Sequence, residues 1–285
     1  PHRGQPYKKG NDMNRLLLLT FSVLTILISS CTPNNVIVDN SLEKIFNESG
    51  VKGTFGIYDN GQNNFTIYDL GRFKDSAYLP ASTFKIVNSL IGIETGKIID
   101  EKMVIKWDGV QRSVPEWNKD LTMAEAFKVS AVPYYQEVAR RIGKDTMQHW
   151  LDSMGYASRY NKAVINKIDT FWLDNSIKIT ADEQLGLAKK LYFNQLPFQK
   201  RTMRIVKEVM LQEKNSNYAL SYKTGWGTAE NGNAIGWVVG WIEENQHPYI
   251  FALNVEGSHD ADMRTIRINI LNQILDQLGF KKGKK

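Results

Sequence analysis

The sequence predicts an α+β fold, in which an antiparallel sheet is flanked by helices and a helical lobe is inserted between the two halves of the sheet. Strand patterns lie near both ends of the chain, helical spacing dominates its middle, and an amphipathic helix closes it. The first strands must therefore cross the chain to pair with the last ones. We expect a single domain over 32–285, with its helical lobe at about 82–211 and its sheet lobe at about 32–81 and 212–285.

The elements before the helical lobe follow from local signals. Asn40 is expected to cap a short helix over 40–47, with Glu43 completing a capping box. Strands are expected over 52–58 and 64–68, with a hairpin turn at Asn60-Gly61 between them.

The helices of the middle and the closing strands follow from periodicity and terminators. Two of the expected helices end at glycines, Gly96 and Gly143, and a turn is expected at His247-Pro248. The expected helices cover 83–95, 134–142, 181–193 and about 263–278, and the expected strands cover 218–222, 234–242 and 249–255.

Composition excludes several function classes. The 285 residues are 42% hydrophobic and 23% charged, as in an ordinary globular protein. The formal charge of +6 is concentrated in residues 1–31 and in the tail 281–285, so we expect no nucleic-acid partner. The single cysteine, Cys31, excludes an internal disulfide and Cys-rich metal sites, and we expect no metal.

The first 31 residues resemble a tag remnant (1–12) followed by a signal peptide that starts at Met13. A basic start precedes an apolar run over 16–28, which is too short to span a hydrocarbon core of about 30 Å. Ile28-Ser29-Ser30-Cys31 resembles a bacterial lipobox, whose cysteine becomes acylated. We therefore expect an exported, periplasmic protein that Cys31 anchors to the membrane by lipid alone; the alternative is a plain signal peptide with an incidental cysteine.

The chain offers a serine nucleophile but little support for a histidine base. It contains no G-x-S-x-G, H-E-x-x-H, P-loop or G-x-G-x-x-G motif, and its four histidines are isolated from such motifs. A lysine can serve as the base if burial lowers its pKa, and serine and lysine at i and i+3 share a helix face.

The S-x-x-K pattern occurs three times, at 41–44, 49–52 and 82–85. Only Ser82-Thr83-Phe84-Lys85 begins a strongly apolar helix, which would bury Lys85 and place Ser82 at the positive end of the helix dipole. On this motif alone, Ser82 could equally be a helix cap.

Two further motifs favour the catalytic interpretation. Lys223-Thr224-Gly225 follows a predicted strand, where a cation and a hydroxyl can hold a substrate carboxylate and the glycine admits substrate to the backbone. Ser130-Ala131-Val132 precedes a helix, and its hydroxyl could pass a proton to a leaving nitrogen. S-x-x-K, S-D-N and K-T-G together are the motif set of β-lactamases and penicillin-binding proteins.

With S-x-V in place of S-D-N, the chain resembles class D serine β-lactamases (oxacillinases), which implies the β-lactamase/transpeptidase-like fold. The resemblance extends from about Gly53 to the final helix. The segments that carry it are 79–85, 117–121, 128–133, 171–173 and 223–226.

The resemblance implies a β-lactam hydrolase that confers antibiotic resistance. Ser82 would be acylated, and CO2 would carboxylate Lys85 to give the general base, with no other cofactor. The indole N–H of Trp172 would hold this carbamate, in a pocket walled by Val129, Val132 and Leu173.

The resemblance also implies the groups that bind the substrate. The backbone N–H groups of Ser82 and Trp226 would form the oxyanion hole, with Ser130 and Lys223 as further catalytic residues. Arg264 would bind the substrate carboxylate. Val132, Thr224, Gly225 and Trp226 would line the substrate site, and the protein would be a monomer or a homodimer.

One motif departs from the family. Its Y-G-N, counted back from Trp172, falls on Arg159-Tyr160-Asn161, where only the asparagine matches. This departure bears on substrate range. The alternatives are a non-hydrolytic β-lactam sensor, which needs a transmembrane signalling segment that we do not find in the sequence, and a penicillin-binding protein that stays acylated.

Overall fold

The computed structural model describes residues 1, 2, 4, 35–159 and 162–285, and the chain divides into two units, 1–35 and 36–285. The description below concerns the second unit. The expected signal peptide, Cys31, Tyr160 and Asn161 lie outside the described residues.

A seven-stranded sheet forms the centre of this unit in the order β1-β3-β2-β11-β10-β9-β8. Two short two-stranded ladders, β4-β7 and β5-β6, lie outside it. The strands are β1 (Val36–Val38), β2 (Lys52–Asp59), β3 (Asn64–Tyr68), β4 (Ala77–Tyr78), β5 (Val104–Ile105), β6 (Leu121–Thr122), β7 (Ile179–Thr180), β8 (Leu211–Lys214), β9 (Tyr218–Thr228), β10 (Ala234–Glu244) and β11 (His247–Gly257).

Most helices of the described chain lie between β3 and β8, as the sequence predicts. Short 3-10 turns cover Asn40–Leu42, Ala81–Phe84 and Pro115–Trp117. The α-helices are α1 (Glu43–Glu48), α2 (Leu70–Asp75), α3 (Lys85–Glu94), α4 (Met123–Lys128), α5 (Val132–Ile142), α6 (Lys144–Met154), α7 (Ala181–Tyr192), α8 (Lys200–Met210) and α9 (Met263–Gln277).

The pairing of early with late strands confirms the predicted architecture. β2 pairs antiparallel with β11, with Phe55 opposite Leu253, so the start of the chain completes a sheet built by its end. The edge strand β1 instead runs parallel to β3, which makes the sheet mixed.

Three local expectations were wrong. The cap of the first helical turn is Asp39, whose carboxylate accepts from the Ser41 N–H at 2.9 Å, whereas Asn40 lies inside the turn and Glu43 completes no capping box.

The strand expected over 218–222 continues to Thr228, because its whole length pairs with β10, and the K-T-G motif therefore lies within the strand. The last turn lies at Asn245-Gln246, both with positive φ, and His247 already pairs with Glu244.

The sheet separates two hydrophobic cores, because successive side chains of a strand point to opposite faces. Val239 belongs to the core shared with the helical lobe, and its neighbour Val238 to the core under α1 and α9. The indole N–H of Trp237 donates to the carbonyl of Leu79 at 2.9 Å, which ties the sheet to the turn before α3. Among the described residues, no helix has both the length and the apolar character needed to cross a membrane.

Candidate active site

Ser82 lies in the 3-10 turn Ala81–Phe84, which leads directly into the buried helix α3. Ala81 has a φ of 47°, a left-handed conformation that costs a non-glycine residue energy. Its N–H donates to the carbonyl of Trp172 at 3.0 Å. The turn presents the Ser82 hydroxyl to Lys85, whose Nζ donates to Oγ at 2.7 Å.

Lys85 is completely buried, and no carboxylate pairs with it among the described residues. Burial lowers the pKa of its amine to about 7. The aromatic ring of Tyr135 lies 5.5 Å from Nζ. A substantial fraction of Lys85 is therefore neutral near pH 7 and can accept a proton from Ser82.

Ser130 and Lys223 form a second hydroxyl–amine pair. Lys223 Nζ donates to Ser130 Oγ at 3.1 Å and to the carbonyl of Thr224 at 3.1 Å. Burial, with Lys85 and Arg267 nearby, holds the pKa of Lys223 well below its ordinary value. Ser130 has a φ of 56°, so its backbone, like that of Ala81, is held in a left-handed conformation.

Trp172 is fully buried and stacks on Phe84, with ring centroids 5.3 Å apart. Its indole N–H finds no acceptor among the described residues. Val129 and Leu173 are partly buried against the same core. An unsatisfied buried donor is costly, so this N–H is available for a further acceptor.

Strand β9 brings the K-T-G motif against the nucleophile turn. A Cβ placed on Gly225 would lie 3.0 Å from the Pro80 carbonyl oxygen and 3.2 Å from Thr83 Cγ2. A side chain at this position would therefore require the strand and the turn to move apart by a few tenths of an ångström. Thr224 is half-buried and Trp226 is 47% exposed.

The structure leaves Arg264 exposed and brings to the site an arginine that the sequence motifs did not single out. Arg264 is exposed in the first turn of α9, whereas Arg267 is only 8% exposed and donates to the Gly225 carbonyl. Burial, followed by the charge of Arg264, lowers the pKa of Arg267 to about 10. The missed signal is periodicity, since Arg267 stands at helical spacing from the buried Met263 and Ile270.

Arg159, which stands where the family has the tyrosine of Y-G-N, forms two ion pairs. The guanidinium of Arg159 lies 3.0 Å from Asp75 and 3.3 Å from Asp182, so it links the loop before Trp172 to α2 and α7. Tyr156, three residues earlier, is buried against the Phe84 ring at 5.6 Å between centroids. A tyrosine therefore does pack beside the nucleophile turn.

Comparison with known proteins agrees with this geometry. Residues 52–276 match the penicillin-binding-protein transpeptidase domain. The chain is 36% identical to "Beta-lactamase OXA-5" of Pseudomonas aeruginosa over 93% of this chain and 98% of that protein, and 42% identical to "Beta-lactamase OXA-48" of Klebsiella pneumoniae over 77% and 80%.

Solved structures give the same result. The class D β-lactamase YbXI from Nostoc superposes with a TM-score of 0.79 at 37% identity, covering 85% of this chain and 99% of that one. The C-terminal domain of the Bacillus licheniformis BlaR penicillin receptor gives 0.80 at 28% identity, covering 87% and 98%. At these identities and coverages, the chain belongs to the class D β-lactamase family, whose members carry the penicillin-binding-protein transpeptidase fold.

Proposed function

We propose that this protein hydrolyses β-lactams through an acyl-enzyme on Ser82. The observation that carries the proposal is the 2.7 Å contact between Lys85 Nζ and Ser82 Oγ in a fully buried setting. Family membership supplies the substrate class. Hydrolysis of β-lactams would confer resistance to them.

Acylation follows from two hydroxyl–amine pairs. Neutral Lys85 accepts the Ser82 proton as Oγ bonds to the lactam carbonyl carbon. The lactam C–N bond then breaks, and its nitrogen takes the proton of Ser130 Oγ. Lys223 lies 3.1 Å from that oxygen and can replace the proton.

Deacylation needs a base that can activate water. The site fits a carboxylated lysine, because CO2 reacts only with a neutral amine and the buried indole N–H of Trp172 lacks an acceptor among the described residues. Once the amine of Lys85 has released the proton that it took from Ser82, CO2 bound to it would supply a carboxylate that acts as the general base. Val129, Val132 and Leu173 would keep bulk water away from it.

The remaining groups bind the substrate. The backbone N–H groups of Ser82 and Trp226, on the turn and on β9, would stabilise the developing oxyanion. We assign the substrate carboxylate to Arg267 instead of Arg264, because Arg267 is buried beside Gly225 and Lys223, whereas Arg264 is exposed. Thr224 would add a hydroxyl contact.

A penicillin receptor is the second candidate, and the likeness to the BlaR domain is the observation that favours it. Both functions acylate Ser82, but only a hydrolase releases the product. Turnover of a chromogenic cephalosporin at substoichiometric enzyme tests the proposal. A single stoichiometric burst without turnover would support the receptor instead.

We also propose that the protein is exported and held at the membrane by an acylated Cys31. The sequence Ile28-Ser29-Ser30-Cys31 after an apolar run supports this. Expressed from Met13 in a bacterium, the wild type should fractionate with membranes, whereas Cys31→Ala should be released. Recovery of both proteins in the same soluble fraction would contradict the anchor.

A further inference from the structure

A buried amide from helix α7 holds the turn that carries the nucleophile. Gln184 is fully buried, and its Nε2 donates to Thr83 Oγ1 at 2.7 Å. Thr83 Oγ1 in turn donates to the Pro80 carbonyl at 2.6 Å. Two short hydrogen bonds therefore connect α7 to the residues on either side of Ser82.

This turn needs external support. Ala81 adopts a left-handed φ of 47°, and such conformations cost on the order of 1–3 kcal/mol and persist only where their surroundings enforce them. The enforcing contacts are the Ala81 N–H bond to the Trp172 carbonyl and two bonds from Thr83 to the Pro80 carbonyl, a longer one from its N–H at 3.2 Å and a shorter one from its hydroxyl. Gln184 fixes the Thr83 hydroxyl that makes the shorter bond.

The same atoms also meet strand β9. A Cβ on Gly225, one residue before Trp226, would lie 3.0 Å from the Pro80 carbonyl oxygen, which is the oxygen that accepts the Thr83 hydroxyl. The Thr83 hydroxyl therefore holds an oxygen of the turn that lies against the strand. One oxyanion donor, the Ser82 N–H, belongs to the turn, and the other, the Trp226 N–H, belongs to the strand.

We propose that Gln184 is a positioning residue for acylation, which fixes the separation of the two oxyanion donors through Thr83. This inference rests on the proposed acylation of Ser82. Gln184 itself contacts neither Ser82 nor Trp226 through any hydrogen bond of the described residues.

A purely structural role for Gln184 fits less well. Its Oε1 is buried and finds no hydrogen-bond partner among the described residues. An unsatisfied carbonyl destabilises a core, and an apolar side chain of similar length would avoid that cost. Gln184→Met should therefore keep the fold while removing the bond to Thr83.

The experiment compares Gln184→Met and Thr83→Val with Thr83→Ser, which restores a hydroxyl. Thr202→Val is the matched control, because Thr202 is also buried and its hydroxyl donates to Glu94 at 2.7 Å outside the turn. The readouts are the rate of Ser82 labelling by a fluorescent penicillin, the inhibition constant of phenylboronic acid, whose serine adduct places an oxygen in the oxyanion hole, and Tm.

We expect Gln184→Met and Thr83→Val to slow acylation and to weaken boronate binding by the same factor, on the order of tenfold. Thr83→Ser and Thr202→Val should stay within about twofold of the wild type on both readouts. Losses of the same size in acylation rate and boronate affinity would point to the oxyanion hole, because a variant that is merely less stable would lower Tm without changing both readouts by one factor.

Acylation within twofold of wild type in Gln184→Met would overturn the proposal. If that variant does not fold, equal rates in Thr83→Val and Thr83→Ser would overturn it instead. Wild-type turnover of a chromogenic cephalosporin is measured in the same series. Its absence alongside normal labelling would refute hydrolysis and leave the acylation comparison standing.

Discussion

Replacing Lys85 by methionine should remove activity and also change how stability depends on pH. Burial lowers the pKa of Lys85 from an ordinary 10.5 to about 7. Between these values the unfolded chain binds a proton that the folded protein does not. The free energy of unfolding therefore rises with pH across this window, and below pH 7 the folded state bears the full cost of charging the buried amine.

The magnitude follows from the same pKa values. A pKa lowered by this amount corresponds to about 5 kcal/mol of lost stability below pH 7, at 1.36 kcal/mol per pH unit. Integration of proton binding gives a gain of roughly 2 kcal/mol between pH 7 and pH 9. Lys85→Met lacks the titrating amine and should lose this gain, while Lys223 contributes to both proteins.

Urea unfolding at pH 7, 8 and 9 in CO2-depleted buffer measures the difference directly. Lys85→Met should be inactive, more stable than wild type at pH 7, and less dependent on pH. Lys44→Met is the matched control, because Lys44 is an exposed lysine in a surface ion pair. Equal pH dependence in Lys85→Met and wild type would refute the reasoning.

Three further predictions concern the other groups of the site. Ser82→Ala should abolish covalent labelling by a fluorescent penicillin on a gel, whereas Ser41→Ala, in another S-x-x-K segment, should label fully. Arg267→Ala should raise KM for benzylpenicillin roughly ten- to a hundredfold, since a charge-assisted hydrogen bond is worth about 1.5–3 kcal/mol. The exposed Arg264→Ala should leave KM within about twofold, and the reverse ranking in steady-state kinetics would return the role to Arg264. Trp172→Phe removes the unpaired indole N–H and should raise the bicarbonate concentration needed for full turnover; an unchanged requirement in a bicarbonate titration would argue against carboxylated Lys85.

Sequence patterns predicted the parts of the fold that local chemistry decides. The helical spacing of apolar residues predicted α3 and α7, and Gly143 predicted where α5 ends. The length of β9 was not predictable in this way, because the polar stretch from Lys223 to Thr228 becomes a strand only through its pairing with β10. Tertiary pairing here overrides a weak local preference.

The site shows the same division. Ser82, Lys85, Ser130 and Lys223 carry motifs with fixed spacing, and the structure brings their side chains together in two hydrogen-bonded pairs. Arg267 carries no motif, and its role depends on which face of α9 is buried against the sheet. The match to the family pattern selected Arg264, three residues earlier, but in the structure Arg267 is buried and Arg264 is exposed.

Electrostatics explain why this site should favour anionic substrates. Lys85, Lys223 and Arg267 are buried in the site, and the charges of Lys85 and Arg267 add to the effect of burial in lowering the pKa of Lys223. Among the described residues the only buried carboxylate is Glu244, at the far end of β10, where backbone N–H groups of the C-terminal tail satisfy it. Arg267, whose pKa of about 10 leaves it charged near pH 7, therefore has no buried carboxylate beside it among the described residues. A substrate carboxylate beside Arg267 and Lys223 would supply the missing negative charge, and it would also raise the pKa of Lys223 by favouring its charged form.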